Sequence, residues 1–154
     1  MTGKTTAPAI RPVAAGDRAA WEGLWRANCA HYGSAMDDAT VDGLWSRIVD
    51  PAYPMHVLMA GMDGAPAGLA QYILHPHTFT LKLVCYLEDL WVEPAWRGAG
   101  IGRALIRELE SLGRSAGWRR VYWVTEADNA PARALYDRVA RRTDYVQYRI
   151  DLDR

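Results

Sequence analysis

The chain has 154 residues, half of them hydrophobic and 23% charged, a composition that fits one globular domain and excludes a disordered chain. Its 18 basic side chains balance 18 acidic ones, which argues against a general nucleic-acid binder, because such domains are usually basic. The balance is uneven, with six basic against ten acidic groups in residues 1–95 and twelve against eight in residues 96–154, so the two halves suit ligands of opposite sign.

Residues 1–8 read as a flexible polar tail ahead of a single domain over 9–154. No stretch approaches the ~18 apolar residues of a membrane span, and no signal-peptide run is present. A cytoplasmic protein without membrane partners is expected. Cys29 and Cys85 are too few for a disulfide framework and read as small core residues. Ile10 to Ala14 is a short first strand. Asp17 is a helix N-cap, followed by Trp21, Leu24, Trp25 and Asn28 at helical spacing. Val41, Leu44, Trp45 and Ile48 stripe a second helix over 38–49, stopped at Asp50-Pro51. The tryptophans at 21, 25 and 45 read as core.

Strands follow. Residues 55–60 are an apolar run ended by the turn signal Met62-Asp63-Gly64. A strand resumes over 68–74, and His75-Pro76-His77 is expected to break or bend it. Residues 83–92 form the longest strand, closed by Glu93-Pro94. Within it, alternation puts Glu88, Leu90 and Val92 on one face and Leu87, Asp89 and Trp91 on the other. Ile101, Leu105, Leu109 and Leu112 define a helix over 101–113. Gly113 and Gly117 are placed to end it. Residues 121–125 read as a central strand. Residues 129–140 form a helix with Pro131 in its first turn. Residues 143–152 form a last strand or strand pair. Strands and helices in this order make a mixed α/β domain.

Two features carry chemistry. Between the strand ending at Val92 and the helix starting near Ile101 lies Arg97-Gly98-Ala99-Gly100-Ile101-Gly102. Three glycines in five residues let backbone approach a ligand closely. The helix start adds unpaired N–H donors and a positive dipole end, together a phosphate cradle flanked by Arg97 and Arg103. The spacing is neither the dinucleotide fingerprint nor a P-loop. The second feature is the pair Glu88-Asp89. Adjacent acids inside an apolar strand are costly unless partnered or functional.

These residues resemble the GNAT superfamily of N-acetyltransferases. Its pyrophosphate signature, Arg/Gln-x-x-Gly-x-Gly/Ala, is similar to residues 97–102, and Leu90-Trp91-Val92-Glu93-Pro94 is similar to the strand that precedes it. Asn129-Ala130-Pro131-Ala132-Arg133-Ala134-Leu135-Tyr136 resembles the element after the family's fifth strand. Tyr86-Leu87-Glu88-Asp89-Leu90 is similar to spermidine/spermine and thialysine acetyltransferases. The stretch from Gly117-Trp118 to Val139-Ala140 is similar to the small yeast Hpa-type enzymes.

The resemblance implies a central, mostly antiparallel sheet of six to seven strands with about four helices, splayed between the fourth and fifth strands. It implies acetyl-CoA as cosubstrate, no metal, and direct attack by an amine. Leu90, Trp91 and Val92 would offer backbone to the pantetheine arm. Gly98 to Gly102, with Arg97, Ala99, Ile101 and Arg103, would hold the phosphates. Tyr136 is the implied general acid, since a phenol is protonated at neutral pH, and Glu88 the implied base, acting through a water. Asp89 is either a partnered structural acid or shares the acceptor side, and the two acids can exchange roles. Asn129 either caps its helix or bonds the pantetheine. Asp37, Asp38 and Asp42, with Tyr32, lie where the family covers its acceptor. They are either helix caps and solvated charges or a lure for a cationic amine. The acceptor is expected to be a small amine or a peptide lysine, and a homodimer is expected. An acyl-CoA-binding regulatory module without turnover is the alternative.

Overall fold

A computed structural model describes residues 6–153 of the chain; of the expected tail, residues 1–5 lie outside the described residues. Two units divide it, Met1–Val124 and Thr125–Arg154. The first contains β1 (Ala9–Pro12), α1 (Arg18–His31), α2 (Asp38–Val49), β2 (Met55–Met62), β3 (Ala65–His77), β4 (Thr80–Val92), α3 (Ile101–Ala116) and β5 (Val121–Tyr122). The second contains α4 (Ala130–Val139).

The five strands lie in sequence order, antiparallel from β1 to β4 and parallel between β4 and β5. The Asp63-Gly64 loop joins β2 to β3 with positive φ at both residues, 51° and 80°. Two such residues twist the turn to match the strands, which is why Asp-Gly marks a tight hairpin. β3 continues through His75-Pro76-His77, where a break or bend was expected. Its register with β4 slips between His75 and His77, and Pro76 sits in that irregularity, where its missing N–H costs no ladder bond.

The two layers over the sheet follow from alternation. Leu69 belongs to the cluster that packs with Trp21, Trp25 and Trp45 of α1 and α2, and the rings of Trp21 and Trp45 lie 5.0 Å apart. Gly68, one residue earlier, faces Ile101 of α3. Neighbouring strand residues point to opposite faces, so α1 and α2 cover one face and α3 the other. Ile101, Leu105, Ile106 and Leu109 are the buried face of α3. A Cβ at Gly68 would sit 2.6 Å from the Trp91 carbonyl oxygen and 3.2 Å from Ile101. Gly68→Ala is therefore expected to cost roughly 1–3 kcal/mol, read as a lowered midpoint in urea denaturation.

The observed sheet is shorter than expected. β5 ends at Tyr122 rather than Thr125, and residues 143–152 form no strand among the described residues. Five strands are present there, against the six to seven implied. Alternation at Val146, Tyr148, Ile150 and Leu152 specifies an apolar face but no ladder partner, and a strand exists only with one. The mixed α/β class and the four helices agree with the expectation.

Candidate active site

Between the partners of Gln71 and Tyr72, β4 carries one residue more than β3 can pair. Gln71 lies opposite Asp89 and its neighbour Tyr72 lies opposite Leu87, leaving Glu88 without a counterpart. This is a β-bulge, a device that bends a strand and re-aims a side chain. It corrects the simple alternation read from the sequence. Cross-strand partners share a face, so Leu87 and Asp89 point to opposite faces, following Tyr72 and Gln71.

The bulge also changes which backbone groups face outward. Before it, the Cys85 N–H donates to the Arg120 carbonyl and the Leu83 carbonyl accepts from Arg119, both toward β5. After it, the Glu93 N–H donates to Ala67 on the β3 side, while the Val92 carbonyl accepts from Arg97 Nε at 3.1 Å. Outward-facing groups thus pass from odd to even positions. β5 pairs with β4 only at Cys85 and Tyr86. From Leu87 to Val92, that edge of β4 has no strand beside it among the described residues, and Leu90 and Val92 present their amide groups there. An open edge of this kind can take a peptide-like arm by strand addition.

The edge leads to the glycine turn. Gly98 and Gly100 have φ of 83° and 81°, a region that disfavours side chains. A Cβ on either would meet nothing within 4 Å, so open space lies over the turn. Gly100 is the N-cap of α3 and supplies no side-chain cap, leaving the first N–H groups of α3 to an outside acceptor. Arg97 lies 5.0 Å over the Trp91 ring, and Trp91 donates to Glu93 at 3.1 Å. Trp91 is itself buried in the α1–α2 core. These residues fit a phosphate-bearing cosubstrate with an amide-rich arm. Ala99, Ile101, Gly102 and Arg103 complete the loop, with Ile101 and Gly102 buried and Arg103 exposed.

Glu88 and Asp89 both line a cleft of about 220 Å³. Trp25, Leu44 and Ile48 form its wall from α1 and α2, and Met55, Val57 and Ile73 come from β2 and β3. Glu88 is exposed and Asp89 half-buried. Burial pushes the Asp89 carboxyl up to about 6, the Gln71 hydrogen bond opposes this, and the Glu88 charge adds to it. That bond runs from Gln71 Nε2 to Asp89 Oδ2 at 3.0 Å. Gln71 Oε1 accepts from the Trp21 indole at 2.7 Å. His56, also lining the cleft, is stacked on Tyr72 at 5.2 Å and is pushed down by burial. Gln71 and His56 drew no attention in the sequence. A glutamine inside the apolar run Gly68 to Leu74 was the available signal, since buried polar groups need partners.

The acidic residues between the first two helices have structural partners. Asp37 caps α2 by accepting from the Thr40 N–H at 2.7 Å, which holds its carboxyl below the usual range. Asp38 pairs with Arg26 and Asp42 with Arg18, both at 2.6 Å. Tyr32 is the exposed C-cap of α1. None of these four lines the cleft. In the second unit, Asn129 caps α4, accepting from the Ala132 N–H at 3.3 Å. Tyr136 stands half-buried in α4.

Comparison with known proteins agrees with this geometry. The family described as Acetyltransferase (GNAT) family matches residues 18–140. The chain is 30% identical over 142 residues to a D-amino-acid N-acetyltransferase of Saccharomyces cerevisiae, covering 91% of this chain and 88% of that one. It is 28% identical over 139 residues to an aminoglycoside N(6')-acetyltransferase of Stenotrophomonas maltophilia, covering 85% and 84%. The fold matches that of an aminoglycoside acetyltransferase solved with a bisubstrate analogue of coenzyme A, with a TM-score of 0.82, 19% identity and coverage of 95% and 99%. The yeast relative bears out the Hpa-type likeness.

Proposed function

Because the chain belongs to the GNAT family of acetyltransferases, we propose that it moves the acetyl group of acetyl-CoA onto the primary amine of a small molecule by direct attack. The observation that carries this reading is the carboxylate pair on the β4 bulge, lining a cleft just before the stretch of β4 whose open edge leads to the glycine turn. Glu88 lies two residues from Leu90, about 7 Å along a strand. The amine would therefore lie beside a thioester whose arm runs along that edge.

The residues take these roles. The amide groups of Leu90 and Val92 hold the pantetheine arm. The backbone of the glycine turn, with Arg97 and Arg103, holds the phosphates. Asn129 shares its helix-capping role with contact to the arm. Glu88 accepts a proton from the incoming ammonium through a water. The freed nitrogen lone pair attacks the acetyl carbon, a C–N bond forms and the C–S bond breaks. The electron pair left on sulfur takes the phenol proton of Tyr136, and the second proton released by the attacking nitrogen, as it becomes the amide, restores the phenol. No cofactor beyond the cosubstrate enters this sequence. A peptide lysine presents the same chemistry as a small amine but needs its flanking chain accommodated outside a cleft of about 220 Å³.

Acetyl-CoA binding by calorimetry, followed by an amine screen that reads released thiol, tests the proposal. Binding with thiol release supports it. No binding overturns it, and binding without release across polyamines, amino acids, arylalkylamines, aminoglycosides and histone peptides favours a regulatory acyl-CoA module. Glu88→Gln is expected to lower kcat near neutral pH by about 10²-fold and to flatten the acid limb of the pH–rate profile. An unchanged profile would remove Glu88 from the base role.

We further propose a homodimer in which residues 143–152 join a second copy. Tyr148, Ile150 and Leu152 are exposed at 91%, 86% and 89% on an alternating segment that pairing would cover. Light scattering on the intact protein and on Tyr148→Asp checks it, with a monomeric mass for both as the contrary result. Among the described residues no helix is long and apolar enough to cross a membrane. The two cysteines are free and buried, which fits the reducing cytoplasm as the place of action.

A further inference from the structure

The wall of the cleft and its charges differ in kind. Trp25, Leu44, Ile48, Met55, Val57 and Ile73 give an apolar lining from four elements. Of the remaining lining residues, Gln71 and Asp89 share the face covered by α1 and α2, Glu88 sits on the bulge, and Tyr72 with its stacking partner His56 points to the other face. None of these is a permanent cation, and burial disfavours the charged form of His56. Gln71 is 7% exposed, and its amide has no freedom of assignment. An indole N–H only donates, so the atom 2.7 Å from Trp21 must be the amide oxygen. The NH₂ then faces Asp89, and the Asp89 oxygen it meets must accept. The relay Trp21–Gln71–Asp89 thus fixes one carboxylate at the cleft, anchored in the core.

We infer that the acceptor is a monoamine carried on an apolar body, with its ammonium received by Asp89 and with Gln71 the positioning residue that fixes that carboxylate. The inference rests on acetyl transfer to a small amine and names its class. A polyamine would lay a second ammonium against the apolar wall, where an unpaired charge is costly. An aminoglycoside would bury hydroxyls there without partners. An α-amino acid would bring its carboxylate toward two others with no cation to meet it. A cleft of about 220 Å³ is roughly seven water volumes, enough for an aromatic or branched body on a short arm.

The test compares 2-phenylethylamine, spermidine, kanamycin and phenylalanine on the wild-type protein. Two readouts are taken: kcat/KM by thiol release, and equilibrium binding by quenching of tryptophan fluorescence, since Trp25 lines the cleft. 2-Phenylethylamine is expected to lead each of the others by about 100-fold in kcat/KM and to bind most tightly. Gln71→Leu is expected to raise its KM about 10-fold and move the acid limb of the pH profile, with acetyl-CoA affinity unchanged. Spermidine, kanamycin or phenylalanine leading in both readouts would overturn the substrate class. An unmoved KM and pH profile in a folded Gln71→Leu would overturn the positioning role. Thiol release from none of the amines would overturn the transfer reading instead, and the order of binding would still decide which class the cleft takes.

Discussion

Tyr136→Phe is expected to lower kcat by about 10²–10⁴-fold, the span that general acid catalysis contributes, while acetyl-CoA affinity changes by less than about threefold. The substitution deletes one oxygen from a half-buried side chain of α4 and keeps the ring. A proton donor to the departing sulfur matters only as the C–S bond breaks, so its loss falls on turnover rather than on binding. Single-turnover thiol release and calorimetry separate the two quantities. Equal turnover in the variant would take Tyr136 out of the acid role. Lost affinity with normal turnover would make it a binding residue only.

Asp89→Asn is expected to make the protein more stable and a poorer enzyme. The Asp89 carboxyl titrates at about 6 in the fold, chiefly through burial, against 3.8 as its ordinary value. The folded state therefore holds the proton more tightly than the unfolded chain does. The sign follows: this group favours folding below about pH 4, and that contribution is lost as pH rises through about 6. At pH 7.5 the buried charge costs roughly 1–3 kcal/mol. Asparagine removes it and keeps an oxygen for the Gln71 donor. The variant should melt about 3–10 °C higher at pH 7.5, and the advantage should vanish near pH 4. Its KM for the amine should rise about 10–100-fold, because the ammonium loses its anion. A variant less stable at pH 7.5 would show that the ionised carboxylate is structural. Calorimetric scans at several pH values decide it.

The glycine turn, the proposed cosubstrate side, was legible in the sequence as a local structure. The glycines at 98, 100 and 102, the arginine before them and the apolar stripe of α3 lie within sixteen residues of one another, and each signal reports backbone conformation directly. The Asp-Gly hairpin and the capping of α2 and α4 were legible for the same reason. The proposed acceptor side was not. Its cleft is assembled from α1, α2, β2, β3 and β4, elements whose mutual register no short window contains. The bulge at Glu88 illustrates the difficulty. Leu87 to Trp91 reads as unbroken alternation, and only pairing with Gln71 and Tyr72 reveals the extra residue. For Asp37 and Asp38 the sequence left two readings open, caps and solvated charges or a lure for a cation. The structure gives them the first, with backbone and arginine partners supplied by α2 and α1.

The two cysteines have a practical consequence. Burial pushes the Cys85 thiol up to about 12 and raises that of Cys29, and the thiolate is the form that reacts. In the native protein neither should consume a disulfide reagent, so a colour change reports coenzyme A alone. Once the chain opens, both sulfurs become reactive. The same reagent, added without substrate, then times the spontaneous opening of the core.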